Sequence, residues 1–305
     1  MTTSCVHDHN AFTSRWGATD RLGAGNLMTP ASRLAALKSV QEGHIFDLGH
    51  VIENGSPRMA PNQTPFVMTL GPRADNVIRR RRASGATNDA GTTLERIEMT
   101  THVGTHVDAL GHATIGEYMY NGHRVDEVLG DFGLNDLGIE HAPPILTRGV
   151  CLDVSGLDGG DFLNAGRVVR REDLERVCET QNITLTAGDV VCIYTGWQRF
   201  FMHDNDRYVS GEPGIDEVAA RWLTEHDVVT IGTDNMAVEV IPHPKHPEIV
   251  LPVHQHALVE AGVYLIENLA LTELTQSQRY EFCFILLATK FKGATGSPVR
   301  PVALV

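Results

Sequence analysis

His102-Val-Gly-Thr-His-Val-Asp-Ala-Leu-Gly-His112 is the stretch of sequence from which the fold and the chemistry of this chain are most readily predicted. It holds three imidazoles and one carboxylate, with only small or apolar residues between them. Two histidines and one aspartate can hold a divalent metal while leaving coordination positions free for water and substrate. The alternative is a set of satisfied polar groups in a β-rich core, but burying so many imidazoles without a shared purpose is costly. The stretch therefore predicts a metal site.

The spacing of the motif requires a bend in the chain. In a straight strand, His102 and Asp108 would lie ~20 Å apart at ~3.3 Å per residue, whereas ligand atoms must converge to ~2 Å from one ion. A helix aligns His102 with His106 but turns Asp108 more than half a turn away. We therefore expect a bulged or turned strand near Gly104–Thr105, with Gly111 permitting a second change of direction.

The same reach argument separates two roles within the motif. His102, His106 and Asp108 are expected to form a three-ligand metal site. His112 lies further along and is better placed as a proton carrier, because an imidazole with a pKa near 6.5 suits general acid–base chemistry at neutral pH.

Composition excludes several classes of partner. The chain has 305 residues and a formal net charge of −13, which would be repelled by nucleic acid or an anionic membrane. Its five cysteines are far apart and form no CxxC pair, which favours a reducing compartment. Three of them lie in apolar runs, where we expect buried, inert thiols. The longest apolar run, Phe282–Ala288, is too short to span a bilayer. We therefore expect a cytoplasmic protein that binds a small-molecule substrate.

The sequence predicts one domain, residues 15–305, preceded by a polar tail, residues 1–14. Helical spacing of apolar residues predicts a helix over Pro30–Gly43, capped by Thr29, and a strand follows at Ile45–Val51. From residue 145 onward, strands and helices alternate without repeats or linkers. This pattern favours a single mixed α/β domain.

A long segment, Gly55–Thr93, is rich in Pro, Gly, Asn and Arg. Loops of this length in compact domains are often lids or binding loops, and we treat it as a candidate substrate lid. Its Arg79–Arg82 run, on a short helix at most, could bind a phosphate or carboxylate, but a solvated face or a subunit contact is favoured.

A second group of histidines follows residue 242. His243 and His246 lie between prolines, which favours turns or subunit contacts over a functional role. His254, Gln255 and Glu267 are better candidates for a distal ligand, because the predicted strand ending at Glu267 places a carboxylate at the edge of a core.

The chain resembles a known family, the cyclase family of metal-dependent hydrolases, which includes bacterial kynurenine formamidases and isatin hydrolases. The family motif is similar to His-x-Gly-Thr-His-x-Asp-x-Pro-x-His, matched here from His102 to His112 except that Leu110 replaces the proline. Other segments look alike as well, including Arg15–Asn26, Gly188–Trp197 and Gly262–Leu269. The likeness extends from about residue 15 to about residue 290.

The resemblance implies roles for individual residues. His102, His106 and Asp108 would bind the metal, and His112 would be the catalytic acid/base. In the two-zinc formamidases, a His-His pair before Ala-Leu and a later Glu complete the site.

Alignment on Ala257-Leu258 puts Gln255 at the position of the ligand histidine, while Glu267 keeps the glutamate position. Because Gln is a weaker, neutral ligand, this departure favours one ion over two, either Mn²⁺ or Zn²⁺.

The resemblance also implies a fold and an assembly. The fold would be a β-rich α/β domain of the swivelling β/β/α type, with a barrel-like central sheet. The assembly would be a homodimer or homotetramer in which the neighbouring subunit helps to close the active site. Trp16 would then contact substrate, with a core or interface position as the alternative.

The expected function is metal-dependent hydrolysis of a small amide, formamide or cyclic amide, with metal-bound water attacking the carbonyl and His112 as acid/base. One alternative is a non-heme iron oxygenase that uses His106 and Asp108. Another is a non-catalytic metal- or ligand-binding member of the fold.

Overall fold

The computed structural model describes residues 12–305. Its centre is a nine-stranded sheet that curls into a half-barrel, with helices packed against it. The prediction of a single β-rich mixed α/β domain with a barrel-like sheet is confirmed.

The strands and helices have the following bounds. The strands are β1 Ile45–Asp47, β2 Val67–Leu70, β3 Glu95–Glu98, β4 His106–Asp108, β5 Leu129–Gly130, β6 Gly133–Leu134, β7 Ile145–Asp153, β8 Val168–Val169, β9 Val190–Tyr194, β10 Gly214–Ile215, β11 Thr230–Thr233, β12 Tyr264–Glu267, β13 Glu281–Leu286, β14 Gly296–Pro298 and β15 Val302–Leu304. The α-helices are α1 Pro30–Lys38, α2 Ala74–Ala83, α3 Val125–Val128, α4 Arg171–Gln181, α5 Asn205–Val209, α6 Glu217–Glu225, α7 Pro252–His254 and α8 Thr272–Gln276, and a π-helix spans Gln255–Ala261.

The order of the main sheet explains where the motif lies. Its strands run β1-β15-β13-β7-β9-β11-β12-β4-β14. Strands β7, β9, β11 and β12 are parallel to their neighbours in this group, and their apolar residues fill the core. Strand β4 pairs antiparallel with β12 on one side and β14 on the other. The motif therefore lies in the sheet, next to the carboxyl end of a buried parallel strand.

Two elements near the amino terminus are shorter than expected. Helix α1 ends at Lys38 rather than Gly43, and β1 ends at Asp47 rather than Val51. The backbone N–H groups of Glu42 and Gly43 donate to the carbonyl of Val305 at the far end of the chain. Because this contact is not local, helical periodicity could not predict it. Thr29 does cap the helix, as expected.

Most of the predicted amino-terminal tail, residues 1–11 including Cys5, lies outside the described residues. Ser14 is anchored on the domain, since its N–H donates to the side chain of Asn121. The four described cysteines are buried and unpaired, which includes the buried thiols expected in the apolar runs. Burial raises the pKa of the Cys192 thiol to about 12. No helix within residues 12–305 has the length and apolar character that a membrane crossing requires.

The candidate lid is more ordered than the sequence suggested. Strands β2 and β3 pair antiparallel, and α2 lies between them in the chain. All eight residues of the two strands are exposed. The segment between residues 67 and 98 is thus a ribbon and a helix that stand on the surface of the domain, and its role as a lid stays a prediction.

Candidate metal centre

The motif bends as the reach argument required. His102 lies in a turn, the chain bends over residues 103–105, and β4 begins at His106. Gly104 has φ = 71°, a left-handed conformation that glycine adopts without steric cost. A Cβ atom at Gly104 would lie 2.6 Å from the Ile52 side chain, so the position also lacks room. A second turn at Leu110–Gly111 then redirects the chain toward His112.

The bend brings the three predicted ligands together. Ligand atoms of His102, His106 and Asp108 all lie within 4.8 Å of one another. Asp108 Oδ1 lies 2.9 Å from His102 Nδ1 and 3.5 Å from His106 Nε2. All three side chains are buried.

Glu267 and His254 extend the cluster from the neighbouring strand and from α7. Glu267 is the register partner of His106 across β12 and β4, and its Oε2 lies 3.2 Å from His106 Nε2. Its other oxygen, Oε1, lies 3.2 Å from His254 Nε2, which also lies 3.6 Å from Asp108 Oδ2. Each carboxylate therefore has one oxygen beside His106 and the other beside His254.

The opposite nitrogen of each imidazole is held by a partner outside the cluster. Thr295 Oγ1 lies 2.9 Å from His102 Nε2, and the Gly104 carbonyl lies 2.8 Å from His106 Nδ1. Glu239 Oε1 lies 2.7 Å from His254 Nδ1. In metal sites such outer contacts fix the ring orientation and the tautomer of the ligand.

The inner atoms of the cluster are buried and lack hydrogen bonds. His106 Nε2 and both Asp108 oxygens have no partner with hydrogen-bond geometry, although they lie within ion-pair distance of their neighbours. Buried polar atoms are otherwise almost always satisfied. Nitrogen and carboxylate donors that converge in this way suit a divalent cation such as Zn²⁺ or Mn²⁺. The residues therefore fit a metal ion.

The electrostatics of the cluster also favour a bound metal ion. Burial would raise the pKa of Asp108, but the surrounding histidines, His112 first, hold it well below its ordinary range. Burial, and to a smaller degree Asp108, would raise the pKa of Glu267, but His106 and His254 together outweigh them and lower it. Burial alone would lower the pKa of His106, yet Glu267 and Asp108 raise it to about 9. The two carboxylates thus stabilise positive charge at the centre of the cluster, which a bound cation would supply.

His112 has a different environment from the ligands. Its ring stacks on that of His102, with centroids 4.2 Å apart, and the residue is only partly buried. Burial lowers its pKa to about 4, although Asp108 works against this. His112 is therefore a neutral imidazole at neutral pH, and it can accept a proton.

The distal histidine beside the cluster is His254, whereas alignment on Ala257-Leu258 places Gln255 at the ligand position. Ligand atoms of Asp108, His112 and His254 lie within 4.8 Å of one another. The Gln255 side-chain N–H donates instead to the Thr114 carbonyl, at 3.0 Å. The π-helix that begins at Gln255 has a wider turn than an α-helix, so spacing counted along the sequence does not determine which residue faces the carboxylates.

The remaining candidates lie elsewhere. Trp16 is half-buried against the main core, and Arg15 covers its ring at 4.3 Å. His243 and His246 line a cavity of about 640 Å³ whose walls are mostly apolar. Glu239 also lines this cavity, but none of the clustered ligands does. Neither Trp16 nor the cavity histidines share a hydrogen bond or ion pair with the cluster within the described part of the chain.

Comparison with known proteins places this geometry in a family. The Cyclase family model matches residues 46–240, about two thirds of the chain, including the whole histidine motif. This chain belongs to the Cyclase family. A crystal structure described as a novel cyclase shares 30% identity with it and superposes with a TM-score of 0.85, over 96% of this chain and 98% of the other.

Two further similar proteins have names that state an activity. The kynurenine formamidase of Geobacillus thermodenitrificans (strain NG80-2) is 26% identical over 208 residues, which cover 67% of this chain and 77% of that protein. Isatin hydrolase A from Labrenzia aggregata shares the fold, with a TM-score of 0.61, 20% identity and coverage of 86% and 93%. The expected resemblance to a cyclase family with formamidase and isatin hydrolase members is confirmed.

Proposed function

We propose that this chain is a metal-dependent hydrolase that cleaves a C–N bond in a small amide, formamide or cyclic amide. The observation that carries the proposal is the buried cluster of His102, His106 and Asp108, in which His106 Nε2 and both Asp108 oxygens converge without a hydrogen-bond partner. Its relatives include a kynurenine formamidase and an isatin hydrolase, and both activities belong to this reaction class.

The ligand set would comprise His102, His106 and Asp108, with Glu267 beside them. His254 joins this set because its Nε2 faces both carboxylates. Gln255 stays a candidate only through the family resemblance, since its amide is bonded to Thr114. Zn²⁺ and Mn²⁺ both accept nitrogen and carboxylate ligands.

The number of ions depends on His254. The family alignment favours a single ion, because it places Gln255 at the position of a histidine ligand. With His254 beside Asp108 and Glu267, the cluster has the histidine that a second ion would require. Elemental analysis of the purified chain determines this number directly.

The catalytic role of His112 in this proposal is proton transfer. A bound divalent ion would polarise the substrate carbonyl and make a water molecule more acidic. A ring nitrogen of His112, neutral at neutral pH, accepts the proton of the attacking water. The resulting imidazolium then gives that proton to the leaving nitrogen as the C–N bond breaks.

The assembly and the substrate contacts are proposed from other features. A homodimer or homotetramer would cover the exposed apolar residues of the ribbon formed by β2 and β3. Trp16 would contact substrate if a second subunit brings it to the active site, which is the arrangement that the family resemblance implies.

The experiment that tests the function is a hydrolysis assay with a restored metal. The protein is stripped of metal with a chelator, divided, and reloaded with Zn²⁺ or with Mn²⁺. Each sample is then assayed on an aromatic formamide, a cyclic aromatic amide and a simple lactone. We expect C–N cleavage that requires the metal. Hydrolysis of the lactone alone would contradict the assigned reaction class, and oxygen consumption with added iron would favour the oxygenase alternative.

A further inference from the structure

Glu239 is a buried acidic residue that the reaction scheme above does not use. Its Oε1 accepts from His254 Nδ1 at 2.7 Å and from the His254 backbone N–H at 3.1 Å. Its Oε2 accepts from the Val253 N–H at 3.2 Å. The side chain is only 3% exposed. One carboxylate therefore holds both the ring and the backbone of the same histidine.

The backbone around Glu239 is fixed by unusual local structure. Val238, the residue before it, has φ = 64° and is fully buried. This conformation is a genuine outlier for a β-branched side chain, and such strain persists only where the surrounding structure enforces it. A Cβ at Gly214 would lie 2.3 Å from the Glu239 carbonyl carbon, so a neighbouring strand also presses against this residue.

Glu239 differs from the other outer partners of the cluster in charge. The ring of His102 is held by the Thr295 hydroxyl and the ring of His106 by the Gly104 carbonyl, both of which are neutral. Only His254 is held by a carboxylate among the three. A carboxylate that accepts from Nδ1 leaves the Nε2 lone pair for a cation and makes that nitrogen a better ligand.

We propose that Glu239 is a positioning residue that orients His254 Nε2 toward the metal. By doing so, it raises the affinity of the metal site for the ion. The proposal rests on the metal centre of the proposed function. It assigns Glu239 no contact with substrate. The Nδ1–H bond sets the tautomer, and the two backbone bonds keep the α7 turn in place.

The test compares Zn²⁺ affinity in Glu239→Gln and in the unaltered protein, by competition with a chromogenic chelator. The amide oxygen can still accept from His254, but the amide N–H₂ then faces the Val253 N–H, and the charge is lost. We expect affinity to fall by ~10–100-fold, the usual effect of losing an outer partner. Glu212→Gln is the matched control, since Glu212 is equally buried and bonds Met236 rather than a ligand. It should leave Zn²⁺ affinity unchanged.

A double variant separates positioning from a general structural effect. In a His254→Ala background, Glu239→Gln should cause no further loss of affinity, because Glu239 acts through that ring. The same loss in both backgrounds would overturn the proposal, as would an unchanged affinity in the single variant.

Glu239→Asp keeps the charge with a shorter reach, so it should bind Zn²⁺ with intermediate affinity. It replaces the amide variant in the same two backgrounds if Glu239→Gln does not fold. If the unaltered protein takes up no Zn²⁺ or Mn²⁺, the metal centre itself fails; if it binds metal but ignores Glu239, only this inference fails.

Discussion

At the scale of single residues, His112 is the group whose role differs most from that of its neighbours. It stacks on His102 but is more exposed than the ligands. His112→Ala should keep its metal and lose ~10²–10⁴-fold in turnover, the usual size of a general acid–base contribution. The measurements are kcat on the substrate found in the screen and metal content by elemental analysis.

The control for this prediction is His141→Ala, which removes an imidazole that pairs with Asp136, outside the cluster. It should leave turnover unchanged. If His112→Ala instead lost its metal, His112 would be a ligand, and the assignment of acid/base chemistry to this ring would be wrong.

The sequence predicted which side chains of the motif converge, but it did not select the distal histidine. His102, His106 and Asp108 could be grouped because ligand reach is a local constraint within seven residues. The choice between His254 and Gln255 depends on a π-helical turn and on Glu239, fifteen residues earlier in the chain. Neither the π-helical turn nor the contact with Glu239 produces a periodic pattern in the sequence, so neither could be predicted from it.

At the scale of elements, the turn before β4 is the structural basis of the site. Gly104→Ala adds a methyl group that meets Ile52 and forces alanine into a left-handed conformation. That conformation costs ~1–2 kcal/mol for a residue with a Cβ. We expect a lower free energy of unfolding in urea and weaker Zn²⁺ binding, because the turn sets the distance between His102 and His106.

Gly43→Ala is the matched control for this turn. Gly43 has φ = 69°, but a Cβ there would meet nothing within 4 Å. It should lose stability from the backbone conformation alone and bind Zn²⁺ normally. Equal metal binding in both variants would show that the turn does not position the ligands.

The amino-terminal end of α4 gives a prediction for acid stability. Asp173 accepts from the Arg170 N–H and from Arg167. Burial raises its pKa, but these bonds outweigh burial and lower the pKa from its ordinary 3.8. Stabilisation by a carboxylate with a lowered pKa is complete above the unfolded-state pKa and is lost as pH falls through the folded-state pKa.

Asp173→Asn should therefore lower the free energy of unfolding at pH 7 by about 1.5–3 kcal/mol, the range for hydrogen bonds to charged groups. Urea unfolding should show that the gap between the variant and the unaltered protein narrows from pH 5 to pH 3. Asp158→Asn, which removes an exposed partner of the same Arg167, should have little effect. A gap that stays constant across this pH range would contradict the account.

Secondary-structure elements could be predicted where a local sequence pattern determines them. They were mispredicted where a contact with a distant part of the chain determines where the element ends. The bend at Gly104 followed from ligand reach, and the cap at Thr29 followed from its position before Pro30. The end of α1 depends on Val305, more than 250 residues away in the chain. The ribbon of β2 and β3 was missed because its strands have only four residues each and the chain around them is rich in Pro, Gly and Asn, which usually mark loops.

At the scale of the whole molecule, the ribbon of β2 and β3 predicts an assembly. Val67, Met68, Leu70 and Ile97 are all more than 40% exposed, and a two-stranded ribbon alone is only marginally stable in water. Met68 and Ile97 are directly opposed across the strands. A Met68→Lys, Ile97→Glu double variant keeps a favourable cross-strand pair while making that position polar.

We expect light scattering to show a dimer or tetramer for the unaltered protein and a smaller species for this double variant. Val218→Lys changes an exposed apolar residue on α6 instead and should leave the mass unchanged. If the double variant assembles like the unaltered protein, the ribbon is not the interface.

The class of the fold could be predicted from alternating strands and helices, and its type from the family motif. The strand order could not, because antiparallel β4, β13 and β15 join the parallel strands through contacts between distant parts of the chain. The sheet order nevertheless explains the site, since Glu267 reaches His106 only because β12 and β4 are neighbours.

Elemental analysis of His106→Ala beside the unaltered protein determines whether the buried histidine–carboxylate cluster is the metal centre. His106 Nε2 lies between Asp108 and Glu267, so its loss removes the ligand that both carboxylates face. We predict stoichiometric divalent metal in the unaltered protein, and no retained metal and no amide hydrolysis in the variant. A variant that keeps both metal and activity would contradict the account.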